Sequence, residues 1–234
     1  MKTIYFFCFG LFVSIKLNGQ ELKNKIHYNL NLGTSFSVPY KATIHENCNC
    51  NDSYKADYKS SFGYNASVLI DYILSRHYQL SFGIIFNQSK INVERELYDV
   101  TLWAKDIGYL KASYLTVPLL FKYEILTKLP MSVGIGPYYS YLVKSRVKGI
   151  SNLRWPVTTV SYDNDYMHSS IHYKKFDFGA ALQFTFIVLW MEKFSMSFFS
   201  EFHYGLINVQ KYDDLYSNST WKNYNLLIGF GLGH

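Results

Sequence analysis

The sequence predicts an all-β fold: an eight-stranded antiparallel up-and-down transmembrane β-barrel after a cleaved signal peptide. Three observations predict it. Alternation of apolar and small polar residues with a period of two recurs in eight segments, the signature of strands with one greasy face. The connections between those segments alternate long and short, as in barrels with tight turns at one end and long loops at the other. Charged residues make up only 17% of the chain and aromatics 19%, against about 25% charged in ordinary soluble domains, so much of the exterior is expected to face something other than water.

Residues 1–19 read as the signal peptide: Lys2 supplies the positive start, Ile4 to Ile15 is a short apolar stretch, and Gly19 offers a small residue at the cleavage point. Cys8 sits inside the apolar stretch and not at its end, which argues against lipidation. Residues 20–234 form the expected barrel domain, with four long extracellular loops. Its net charge is +6 less the two signal-peptide lysines, 6 − 2 = +4, with no dense Lys/Arg stripe, so no nucleic-acid partner is expected.

The first segment runs from about Ile26 to Val38, with Ile26, Tyr28, Leu30 and Leu32 on one face. The second, about Phe62 to Ile73, sets Phe62, Tyr64, Ala66, Val68, Ile70 and Tyr72 against Gly63, Asn65, Ser67 and Asp71. The third, about Tyr78 to Ser89, sets Leu80, Phe82, Ile84 and Phe86 against Gln79, Ser81, Gly83 and Asn87. The fourth, about Tyr109 to Tyr123, carries Leu115, Val117, Leu119 and Phe121 opposite Tyr114, Thr116, Pro118, Leu120 and Lys122. Pro118 cannot donate to a ladder, so a bulge or a local gap in pairing is expected there.

The fifth segment, about Met131 to Lys144, alternates Val133, Ile135, Tyr139, Tyr141 and Val143 with Ser132, Gly134, Gly136, Ser140 and Lys144. The sixth, about Tyr173 to Val188, alternates Phe176, Phe178, Leu182, Phe184 and Phe186 with Asp177, Gly179, Ala181 and Gln183. The seventh, about Phe194 to Asn208, alternates Met196, Phe198, Phe202 and Tyr204 with Ser195, Ser197, Glu201 and His203. The eighth, about Trp221 to Leu232, alternates Leu226, Ile228 and Phe230 with Asn225, Gly229 and Gly231.

A soluble barrel would turn the apolar face inward and meet water with Lys, Glu, Asp and Arg. Here the less apolar set is mainly Gly, Ser, Asn, Thr and Gln, which suits the narrow interior of an eight-stranded barrel. The large set is therefore expected to face lipid, with Tyr72, Tyr78, Tyr123, Trp190 and Trp221 as aromatic girdles. Asp71, Lys122, Lys144, Asp177 and Glu201 fall on the small-residue face. The expectation is a charge network in the lumen, pairing Lys122 with Asp71 or Glu201 and Lys144 with Asp177; the alternative is solvated charges at the two mouths.

The run Tyr114-Leu115-Thr116-Val117-Pro118-Leu119-Leu120-Phe121-Lys122-Tyr123 stands out, followed by Val133-Gly134-Ile135-Gly136-Pro137-Tyr138 and later by Asp177-Phe178-Gly179. On these residues the chain resembles the PorT-like outer-membrane β-barrel family. The resemblance covers most of the mature chain as a pattern, and the fourth and fifth strands as a motif. It implies a barrel in the outer membrane of a Gram-negative bacterium. The founding member is associated with type IX protein secretion.

Two loop clusters bear chemistry-capable residues. Cys48 and Cys50, after His45 and Glu46, suit a metal site, a redox pair or an ordinary polar loop. Asp163, Asp165, His168 and His172 have the donor types of a divalent-cation site, but no spacing that fixes one. No nucleophile–base arrangement or phosphate loop is present as a motif, so no cofactor, resident metal or catalytic residue is expected. The function expected is a non-enzymatic barrel with a filled lumen, a scaffold for surface-loop binding or for envelope or secretion assembly. The alternatives are a small pore or a loop-based outer-membrane enzyme. The bilayer is the first partner expected; envelope or secretion proteins or surface glycans are the others.

Overall fold

The computed structural model describes residues 26–39, 43–47, 53–98, 103–125, 130–153, 158–167, 174–191, 194–207 and 223–233. The expected signal peptide, Cys48, Cys50, His168, His172 and Trp221 lie outside the described residues. In chain order the strands are β1 (Ile26–Pro39), β2 (Thr43–Asn47), β3 (Ser53–Ile73), β4 (Tyr78–Tyr98), β5 (Trp103–Ile125), β6 (Met131–Leu153), β7 (Thr158–Met167), β8 (Phe176–Trp190), β9 (Ser195–Gly205) and β10 (Asn223–Gly233).

All ladders are antiparallel, in the order β1-β10-β9-β8-β6-β5-β4-β3, and β1 pairs back onto β3. The ring therefore closes with 8 strands. Closure follows from the solvent: hydrocarbon offers no hydrogen-bond partner, so each open edge group would cost several kcal/mol there, and a closed ring has no edge. β2 and β7 stand off the ring, on β3 and β6 respectively.

The alternation read from the sequence sets the two faces. Phe184 is 49% exposed while its neighbour Gln183 is 2% exposed. Leu32, Val68, Ile84, Val117, Ile135, Phe198 and Phe230 point outward with Phe184, and Asn31, Ser67, Asn87, Thr116, Ser140, Ser197 and Asn225 are buried in the lumen. Tyr78, Tyr123 and Trp190 are exposed at the tight-turn end. A second aromatic row lies toward the other end, where Tyr64 meets Phe86, Tyr141 meets Phe176 and Tyr204 meets Tyr224.

Strand lengths depart from the sequence expectation. β3 and β4 have 21 residues and β5 and β6 have 23, against roughly 9–11 needed for a tilted crossing. Much of what reads as long loop is continued ladder: Ser53 pairs with Tyr98, Tyr98 with Trp103 and Ala104 with Leu153. Alternation is still present in these extensions; it swaps face on β3 and β6 and keeps its face on β4 and β5. Between Ser61 and Tyr64 the β3–β4 register shifts, so Phe62 and Gly63 together oppose Ser89. Between Ser113 and Tyr114 the β5–β6 register shifts and Val143 has no rung on β5. Such an extra residue reverses which side the following residues face.

Pro118 marks a gap and not a bulge. The β4–β5 ladder runs from Phe82–Leu119 to Ile85–Thr116 without rungs between them, and the register is unchanged across it.

Candidate functional site

The lumen is the best-defined candidate site. At the tight-turn end a cavity of ≈ 1050 Å³ reaches from the turn residues Ser75, Arg76 and Pro130 to Leu69 and Phe199. Lys122 and Asp71 form an ion pair in its wall, with Nζ 3.0 Å from Oδ1 and 3.2 Å from Oδ2. Asn29 Nδ2 donates to the same carboxylate at 2.7 Å. Both side chains of the pair are buried, so each ion depends on its partner for the solvation it has lost. Nearer the mouth, Gln79 Nε2 donates to Glu124 Oε2 at 3.1 Å.

Below the cavity the lumen turns apolar. Leu69, Ile85, Phe199 and Leu227 pack together, and Leu120, Tyr138 and Ala181 form a second group. Leu69, Ile85 and Leu227 are each 1% exposed, so this layer is shielded from water. Sequence reading set Leu120 on the inner face but did not see this layer. Leu69, Ile85 and Leu227 share the inward parity of Ser67, Asn87 and Asn225; that they meet one another across the lumen shows only in the structure.

Polar groups surround the layer. Glu201 accepts from Gln183 Nε2 at 2.7 Å, and His203 Nε2 stands 2.6 Å from its other oxygen. The His203 ring stacks on Tyr138 at 4.7 Å between centroids. Tyr138 in turn donates its hydroxyl to Asp177 Oδ2 at 3.0 Å. Tyr138 lies over Gly179: a Cβ on that glycine would come within 2.7 Å of the ring and would also meet the Tyr204 carbonyl oxygen. Toward the loop end, Asn225 Oδ1 accepts from Ser37 and Ser89, each at 2.8 Å. Leu110, Ala112, Tyr114 and Leu142 then fill the interior of the extensions.

Of the five charges expected in the lumen, Asp71, Lys122, Asp177 and Glu201 are buried there. Lys122 meets Asp71 at 3.0 Å, whereas the groups found on Glu201 are Gln183 and His203. Lys144 is a correction. The shift at Val143 places it across from Ser113, in the outward set with Lys111 and Leu115. The periodicity of residues 131–142 carries no sign of the extra residue, so counting parity through it put Lys144 inside.

The acidic loop pair stands on β7, where Asp163 pairs with Lys148 and Asp165 with Arg146 along the ladder. Among the described residues no cluster of three or more His, Cys, Asp or Glu is arranged to hold a metal ion. His203, on the inner face by alternation, and Tyr138 have no role in the sequence expectation, yet both join the buried polar groups. Their signal was the inward parity of two large side chains among small ones.

The outer membrane protein beta-barrel domain model matches residues 18–211. The chain belongs to that outer-membrane β-barrel family. As a member of the family it sits in the outer membrane of a Gram-negative bacterium, in contact with the lipid bilayer. No curated protein matches the chain. Among solved structures, this barrel is similar to the outer membrane protein OprG of Pseudomonas aeruginosa, at 10% identity and TM-score 0.44, over 89% of this chain and 95% of that one. It is similar to Ail, the attachment invasion locus protein of Yersinia pestis, in complex with the heparin analogue sucrose octasulfate, at 13% identity and TM-score 0.41, over 90% and 99%. It is also similar to the outer membrane protease OmpT of Escherichia coli, at 8% identity and TM-score 0.36, over 90% and 96%. At these scores the likenesses carry no argument about what the barrel does.

Proposed function

We propose that this barrel is a non-conducting, non-enzymatic scaffold, which presents its strand extensions and long connections to a partner in the cell envelope. The observation that carries the reading is the apolar layer of Leu69, Ile85, Phe199 and Leu227 across the lumen. An eight-stranded ring has room for side chains and little else, and here the side chains meet. The charge network of Asp71, Lys122, Asp177 and Glu201 belongs to this proposal as the polar part of the same plug. Lys144 does not belong to it.

The resemblance to the PorT-like family supports an envelope or secretion assembly as the partner, with surface glycans as the other candidate. Strands of 21–23 residues, about twice the length a tilted crossing needs, give a partner a rigid ribbon instead of a floppy loop. Planar-bilayer recording of the purified chain tests the closed lumen. The expected result is no steady conductance, whereas discrete, long-lived current steps would mean a pore. Crosslinking in whole cells followed by mass spectrometry tests the scaffold: a recurrent envelope partner supports it, and recovery of the barrel with lipid alone counts against it.

A further inference from the structure

On the outer surface, the change from apolar to charged is abrupt. Along β5 the outward set passes from Leu115 through Ser113 to Lys111 and Tyr109; along β4 it passes from Phe86 through Gln88 to Lys90. The Gln88 amide contacts both the Tyr64 hydroxyl and the Ser113 hydroxyl, which marks this row as the outward rim of the greasy belt. The next rung places Lys90 beside Lys111, and Lys111 beside Arg146 on β6. Three cations therefore stand in one rung on three adjacent strands. From Leu115 to Lys111 is four residues, about 10 Å of height on a strand tilted as in such barrels. That is the level of the headgroup layer, which lysine stems reach by bending toward it.

Lys90 and Lys111 also share one aromatic ring. Their Nζ atoms lie 5.0 Å and 5.2 Å from the Tyr109 centroid. Among the described residues neither has a carboxylate partner, whereas Lys59 and Lys105, farther out on the same surface, are paired with Glu94. Two ammonium groups held over one ring repel each other unless an anion lies between them.

We infer that Lys90, Lys111 and Tyr109 form a binding site for the phosphate headgroups of anionic lipids in the leaflet at the long-connection end of the barrel. Lipid is the occupant the geometry favours, because the site continues the lipid-facing belt without a break and faces along the membrane surface. Its charge complements a phosphate, and each ammonium can donate to a phosphate oxygen. The inference stands on the barrel's position in the bilayer and not on the closed lumen.

The test uses the full mature chain in detergent micelles, mixed in turn with phosphatidic acid and with the diacylglycerol of the same chains, with retained lipid counted by native mass spectrometry. Phosphatidic acid is expected to be retained and diacylglycerol not. The Lys90→Gln/Lys111→Gln variant is expected to lose retention by about tenfold, the factor that one or two charge-assisted contacts supply. A Lys55→Gln control, at a lysine already paired with Asp57, is expected to behave as the parent. Equal retention of the two lipids, or full retention by the double variant, overturns the inference. Displacement by inorganic phosphate at equal concentration also overturns it, since the site would then take the anion without the lipid. If the double variant does not fold, the parent decides: retention lost on raising the salt supports the site, and retention indifferent to salt overturns it.

Discussion

The Lys122–Asp71 pair shows how strongly one residue can be committed once it is inside a barrel. Removing one member leaves a buried, uncompensated charge, and such losses cost about 3–5 kcal/mol. Lys122→Met is therefore expected to lower the unfolding free energy, measured in urea, by that order. The double change Lys122→Met/Asp71→Leu is expected to recover most of it, because a well-packed apolar pair needs no counter-ion. A single variant as stable as the parent would remove the pair from any account of the plug. Gly179 is committed for a different reason. With the Tyr138 ring 2.7 Å from where a Cβ would sit, and a backbone oxygen closer still, Gly179→Ala must push the ring or the neighbouring strand aside. Overpacking of this kind costs about 1–3 kcal/mol. The expected signature is a lowered midpoint together with a changed His203 ring resonance, because the Tyr138 ring stacks on His203. Of the residues at this scale, the sequence made Lys122 and Asp71 legible as inward charges. It did not make their pairing legible, since Glu201 has the same parity and only the strand order separates the two acids.

At the scale of elements, the membrane-crossing parts of the strands were readable and their continuations were not. Within β4, Leu80 to Phe86 alternate cleanly with Gln79 to Asn87, because lipid on one side and a cramped lumen on the other impose opposite demands. Beyond Ser89 both faces leave hydrocarbon, the demand relaxes, and Glu94, Arg95 and Glu96 follow one another without contrast. The extra residues at Phe62–Gly63 and Val143 then shift the parity without any compositional mark. What holds the extensions together outside the bilayer includes surface ion pairing. Lys105 stands 2.6 Å from Glu94 and 2.8 Å from Glu96. The hydrogen bond and charge of Lys105 hold the Glu94 carboxyl below its ordinary value of 4.5. A carboxyl depressed in the folded state adds stability above its unfolded pKa and loses it as pH falls through the folded one. Lys105→Met is expected to return the Glu94 titration, followed by carbon-13 NMR, toward 4.5. The unfolding midpoint of the barrel is expected to stay unchanged, since exposed pairs contribute little. A large fall in that midpoint would mean that the extensions and the ring unfold as one unit.

Taken whole, the molecule answers two solvents at once. Lipid requires a closed ladder and a greasy exterior, and the sequence meets both with period-two alternation around 8 strands. The lumen must be filled as well, and small polar groups share it with a few large apolar ones. Phe199 and Leu227 are thus inside a chain whose other large apolar residues mostly point out. Alternation sorts residues into two faces but does not describe what each face packs against, so the ring and the inward charges were legible and the apolar layer was not. The most direct measurement is site-directed nitroxide labelling of the chain in lipid bilayers, after Cys8, Cys48 and Cys50, where retained, are replaced by serine. Labels go on two neighbours of β8: Phe184→Cys on the outer face, and Thr185→Cys in the wall of the turn-end cavity. The label at 184 is expected to relax with lipid-dissolved oxygen and the label at 185 with a water-soluble nickel chelate. The opposite assignment, or nickel access at both positions, would contradict a barrel whose large side chains meet lipid.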